Sequence, residues 1–114
     1  MKIFLDTADT DTIRKYFETG LVDGVTTNPS LIMKSGRVPD DVYQEIKDIG
    51  VTDISMEVMG DANEMYNEGL RLVDKFGGVS TIKVPCTREG LKACRALTQE
   101  KIRTNVTLIF CAAQ

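Results

Sequence analysis

Short apolar runs alternate with longer amphipathic stretches along the chain, and each join carries turn or helix-cap residues. The runs at residues 2–6, 21–28, 52–58, 79–84 and 104–110 predict five strands. Between the first two, Asp9 is placed to cap a helix whose Ile13, Tyr16 and Phe17 share one face and which closes at Gly20. Ser30 is placed to cap a short helix. After the turn at Pro39, Val42, Ile46 and Ile49 mark a second stripe that ends at Gly50. Asp61 and Glu64 have capping-box spacing ahead of Met65, Leu72 and Phe76, with Gly77 and Gly78 closing that helix. Thr87 is placed to cap the last helix, with Leu91, Cys94 and Leu97 toward a sheet. Alternation of this kind requires right-handed crossovers and hence a parallel sheet.

Period-two alternation then divides each strand. Ile54, Met56 and Val58 oppose Ser55 and Glu57; Ile82 and Val84 oppose Thr81 and Lys83. Ile3 and Leu5 oppose Phe4 and Asp6; Val106, Leu108 and Phe110 oppose Asn105, Thr107 and Ile109; Gly24, Thr26 and Asn28 share a side. A sheet covered by helices on both faces reads as nearly continuous apolar strands. Here one face is apolar and the other gathers polar groups toward the strand ends. That is the pattern of a β/α barrel, with reactive groups at its C-terminal mouth, rather than of a flat doubly wound sheet.

Composition narrows the chemistry. With 114 residues the expectation is one domain over 1–114, able to bury roughly two thirds of its unfolded surface. A net charge of −3 and the absence of any long basic block argue against nucleic acid as a partner. The apolar start is interrupted at Asp6, too early for a signal-peptide core or a membrane span, so no membrane partner and a cytoplasmic location are expected. Cys86, Cys94 and Cys111 form no paired motif and fit reduced thiols. The chain has no histidine, which excludes Ser-His-Asp and Cys-His relays and most zinc chemistry. Proton transfer falls to carboxylates, lysine, tyrosine or water.

Lys83 is the one cation inside a strand that otherwise reads as buried, just ahead of Pro85. A lysine in a low-dielectric site tends toward a neutral amine, which can attack a ketone, lose water and leave an iminium electron sink. Asp6 and Glu57, at the ends of two other strands, are candidate proton carriers. The plainer reading has the lysine reaching solvent or pairing with an acid. "TTNPS" at 26–30 is open in the same way, to a turn entering a helix or to Thr26 and Asn28 facing a polyhydroxylated ligand.

"FLDTA", "GVTTNPS", "SMEV", "IKVP" and "TNVTLIFCAAQ", in this order and spacing, resemble the small transaldolase family, which includes fructose-6-phosphate aldolases. The resemblance runs through the whole chain. It implies that Lys83 is the Schiff-base lysine holding a dihydroxyacetone unit from a ketose phosphate, that Asp6 is the acid/base of carbon–carbon cleavage, and that Glu57 activates water with help from Thr107. Thr26, Asn28, Ser55 and Asn105 would line the donor pocket. It further implies ketose and aldose phosphates as substrates, no cofactor or metal, and a homo-oligomer. Glutamate at position 57 resembles the transaldolases, where the aldolase branch has glutamine; this favours transfer over release of dihydroxyacetone.

A closed eight-stranded barrel takes ~200 residues or more. The expectation is therefore a partial TIM-type barrel that stops after strand five, without the later strands that hold the substrate phosphate or the C-terminal helix used in assembly. Activity of this length alone stays open. So do two other readings: a non-catalytic barrel fragment, and a phospho-acceptor receiver domain, which also has five parallel strands, acids at strand ends and a lysine before a proline.

Overall fold

A computed structural model describes residues 1–107. The elements are β1 (Phe4–Asp6), α1 (Thr10–Phe17), β2 (Gly24–Thr26), α2 (Pro29–Lys34), α3 (Pro39–Ile49), β3 (Ile54–Glu57), α4 (Ala62–Phe76), β4 (Ser80–Pro85), α5 (Arg88–Gln99) and β5 (Thr104–Thr107), with a 3-10 turn at Gly77–Val79. The alternation of the sequence is thus observed, with shorter strands than the apolar runs suggest. Residues 108–110 of the fifth predicted strand lie outside the described residues.

All five strands are parallel and follow chain order, β1-β2-β3-β4-β5. With right-handed crossovers, an order that never reverses keeps every helix on one side and curls the sheet into half a barrel. A receiver domain reverses its order beside the first strand, so this topology removes that alternative. The core lies between the outer sheet face and the helices. Val25, Ile54, Met56, Ile82 and Val84 supply the sheet side, against Ile13, Val42, Ile46, Met65, Leu72, Phe76 and Leu97.

Most caps fall where expected. Asp9 accepts from the Asp11 amide, Thr87 from the Gly90 amide, and Asp61 and Glu64 form a reciprocal capping box. Gly50 ends α3 in the left-handed region at φ 113°. The cap of α2 is Asn28 rather than Ser30: its Oδ1 accepts from the Ser30 amide at 2.8 Å, with Pro29 as the first helical residue.

Two predicted faces are rotated. In α1, Ile13 is buried and Phe17 packs on the core, whereas Tyr16 is 46 % exposed. In α5 the buried line is Gly90, Ala93 and Leu97, and Leu91 is 50 % exposed. The cause is Gly90, where a side-chain carbon would collide with the Pro85 carbonyl oxygen. The helix approaches β4 through that missing side chain, which turns Leu91 outward.

Candidate active site

The register assembles the polar face. Asp6, Thr26, Ser55 and Thr81 are successive partners across β1 to β4, and one step nearer the mouth Glu57, Lys83 and Asn105 are successive partners across β3 to β5. Thr107 pairs with Pro85 one step further. Seven of the eight predicted site residues therefore share the inner face. The eighth, Asn28, lies just past β2 as the α2 cap. Asp6 and Glu57 both end their strands, yet Asp6 is level with Ser55, two residues below Glu57, because strands in a barrel are staggered.

Adjacent parallel strands stand ~4.8 Å apart, which brings Lys83 directly beside Glu57 on one side and Asn105 on the other. Lys83 and Glu57 are half-buried, as expected of groups on the inner face of an open half-barrel. Among the described residues, no ion pair joins Lys83 to Asp6 or Glu57. Curvature shows in the Asn105 Nδ2 to Ser55 Oγ hydrogen bond of 2.9 Å, which arches over β4 between non-neighbouring strands. Ser55 is wholly buried, so this contact supplies its polar partner. On β2, Thr26 Oγ1 donates to Asp6 Oδ1 at 3.0 Å and so orients that carboxylate. Asp6 remains exposed, about three strand spacings from β4 along the sheet.

Other polar groups were not singled out by motif. Thr81 donates to Asp53 Oδ1 at 2.7 Å, and Arg103 lies 3.7 Å from Asp53 Oδ2 while donating to the Gly78 carbonyl at 2.6 Å. This network closes the inner face at the end opposite the mouth. Asp53 and Arg103 share strand parity with Ser55 and Asn105, so alternation carried a signal for them. Behind Ser55, the buried Thr27 donates from its hydroxyl to the Ser55 carbonyl at 2.8 Å. Burial pushes the Tyr43 hydroxyl above the ordinary phenol range, opposed by a hydrogen bond with Thr27.

Asp6 and Glu57 line different cavities. Asp6 borders one of about 590 Å³ together with Thr10, Leu31 and Arg37. Glu57 borders one of about 390 Å³ between α3 and α4, with Tyr43, Asp40, Glu68 and Arg71. There Arg71 grips Asp40 with two bonds of 2.8 and 3.0 Å and also holds Glu68, while Lys75 reaches Asp40 at 2.9 Å. Hydrogen bonding by Arg71, chief among the causes, holds the Asp40 carboxyl down at about 2. Cys86 and Cys94 are free thiols; Cys111 lies outside the described residues. Among the described residues, no helix is long and apolar enough to cross a membrane.

A half-barrel with one lysine in register beside a carboxylate and an amide calls for comparison with known families. The family described as Transaldolase/Fructose-6-phosphate aldolase matches residues 3–114. A "Probable transaldolase" of Geobacter sulfurreducens is 54 % identical over 115 aligned positions, covering all of this chain and 53 % of the relative. One from Clostridium kluyveri is 52 % identical with the same coverage, and one from Nitrosopumilus maritimus is 49 % identical over 96 % of the chain and 50 % of the relative. The chain belongs to the transaldolase/fructose-6-phosphate aldolase family. It spans about half the length of these curated relatives and corresponds to their N-terminal half.

Proposed function

We propose that this chain carries the Schiff-base centre of a transaldolase, in which Lys83 takes a dihydroxyacetone unit from a ketose phosphate and passes it to an aldose phosphate. The observation that carries the reading is the register row Glu57, Lys83, Asn105 on the polar face of a singly wound half-barrel; family membership supports it. The Lys83 amine adds to the ketone carbon, and Glu57, with Thr107, moves the protons as the carbinolamine loses water. Asp6 then takes the proton of the hydroxyl two carbons from the iminium carbon. The bond from that hydroxyl-bearing carbon to the carbon next to the iminium breaks as the hydroxyl becomes a carbonyl, its electrons enter the iminium to give an enamine, and the aldose leaves. Addition of the enamine to a second aldose, followed by hydrolysis, reverses these steps.

Thr26 orients Asp6 through its 3.0 Å bond. Ser55 and Asn105, already paired, offer hydrogen bonds to the donor hydroxyls, as does the Asn28 amide, fixed by its capping bond. The lysine supplies its own electron sink, so the scheme requires neither metal nor cofactor. The reading extends to one domain over 1–114 and to a cytoplasmic homo-oligomer, supported by the free thiols and by family membership.

The test is borohydride reduction of the 114-residue chain incubated with fructose 6-phosphate, followed by peptide mass analysis. A ketose adduct is expected on the peptide bearing Lys83 and none in Lys83→Met. No adduct in the parent chain, or an adduct that persists without Lys83, overturns the proposal. Glu57→Gln distinguishes the aldolase-type alternative: release of free dihydroxyacetone should rise at the expense of transfer.

A further inference from the structure

The cavity behind Glu57 contains a strong cation that the scheme above does not use. Arg71 on α4 and Glu57 at the end of β3 line the same space of about 390 Å³. A sphere of that volume is about 9 Å across, within the swing of an arginine side chain. A guanidinium is charged at every working pH and prefers a bidentate carboxylate partner. Released from other partners, Arg71 would have Glu57 as a carboxylate lining the same cavity, and an ion pair there would occupy the group beside Lys83.

Arg71 is instead held from two sides. Asp40, the second residue of α3, accepts from Nη1 at 2.8 Å and from Nη2 at 3.0 Å. Glu68, one turn earlier on α4, accepts from Nε at 2.9 Å and from Nη2 at 2.5 Å. All three nitrogens of the guanidinium are thus engaged on the helix side of the cavity. Lys75 adds a further bond to Asp40 at 2.9 Å, which steadies the acceptor. The titratable groups that share the strand register or this cavity with Glu57 are Lys83 from β4, Asp40 and Tyr43 from α3, and Glu68 and Arg71 from α4.

We infer that Asp40 and Glu68 are positioning residues that clamp Arg71 away from Glu57, so that the arginine can tie α3 to α4 without neutralising the carboxylate beside Lys83. The inference rests on the role proposed above for Glu57, but the clamp itself can be tested separately. Asp40→Asn with Glu68→Gln releases the guanidinium, and adding Arg71→Met removes it.

In the 114-residue chain, coupling of glycine ethyl ester to Glu57 by a water-soluble carbodiimide, mapped by mass spectrometry, reads how available the carboxylate is. Coupling at Glu57 is expected to fall about fivefold in the double variant and to return to within about twofold of the parent in the triple. The rate of ketose trapping on Lys83 should follow the same course. Unchanged coupling in the double variant, or coupling that stays low in the triple, overturns the clamp whether or not trapping occurs. Normal coupling changes with no trapping in the parent chain instead overturn the Schiff-base reading alone. If the double variant does not fold, Glu68→Gln decides: coupling at Glu57 that falls and returns on adding Arg71→Met supports the clamp, and unchanged coupling overturns it.

Discussion

Gly90 and Gly69 sit in neighbouring helices, and each stands where an added methyl group meets a neighbour, yet alanine should have opposite consequences at the two positions. At Gly90 the methyl carbon would collide with the Pro85 carbonyl oxygen and stand 3.0 Å from its carbonyl carbon and 3.2 Å from Cγ. Backbone cannot step aside, so α5 must lift from the end of β4. Overpacking of this kind costs ~1–3 kcal/mol and sometimes more. The preference of helices for alanine over glycine returns at most ~1 kcal/mol, and less in the first turn where Gly90 lies.

At Gly69 the methyl would meet Leu97 Cδ2 at 2.9 Å, the movable tip of a side chain, in the middle of α4. The helix gain there offsets much of the strain. Gly90→Ala should therefore be destabilised by about 2 kcal/mol, and Gly69→Ala should stay within ~1 kcal/mol of the parent. For a domain of this size the first corresponds to a melting point lowered by about 8 °C or more. Urea titrations of the 114-residue chain, with unchanged slopes, give the comparison. Equal stability of the two variants would refute the reasoning that backbone, not side chain, sets the distance between α5 and β4.

Two further outcomes follow from the helix ends and the ion pairs. The Asp40 carboxyl, held at about 2 chiefly by Arg71, lies below its ordinary value of ~3.9, so its contribution is complete above about pH 4 and fades as pH falls toward 2. Arg71 is half exposed, which limits the effect to about 1 kcal/mol; Asp40→Asn should lower the urea midpoint at pH 7 and flatten its decline between pH 4 and 2, and parallel pH curves would contradict this. Asp61→Ala breaks the capping box of α4, in which Asp61 accepts from the Glu64 amide at 2.8 Å and Glu64 accepts from the Asp61 amide at 3.2 Å. A loss of about 1 kcal/mol is expected in thermal melts, largely restored by Asp61→Ser, and an unaffected melting point would show that the box contributes nothing.

Much of this was legible in the chain because alternation is a local signal. Ser55, Glu57, Thr81 and Lys83 declare their face through their neighbours, and register then makes partners of residues whose sequence positions give no hint of it. Stagger was not legible: nothing local tells that Asp6 is level with Ser55 rather than Glu57. Helix rotation failed for Leu91 because hydrophobicity alone favoured it over Gly90, and a close approach made through an absent side chain leaves no apolar signature. Asn28 outranked Ser30 as a cap because Pro29 sets the first helical residue. The Arg71 cluster joins helices across more than 30 positions, beyond the reach of any periodicity.

The strand order also ranks the two halves of the proposed chemistry by robustness. Among the described strands, β3 and β4 are each flanked on both sides, and they carry Glu57 and Lys83; β1, which carries Asp6, has a neighbour on one side only. A strand with a single neighbour frays more readily than one held on both flanks. In the 114-residue chain, the proposed capture of a ketone by Lys83 therefore draws on strands held on both flanks, and the proposed carbon–carbon scission on a strand held on one. On that proposal, partial loosening of β1 should leave a 114-residue chain that still traps a ketose yet releases nothing from it.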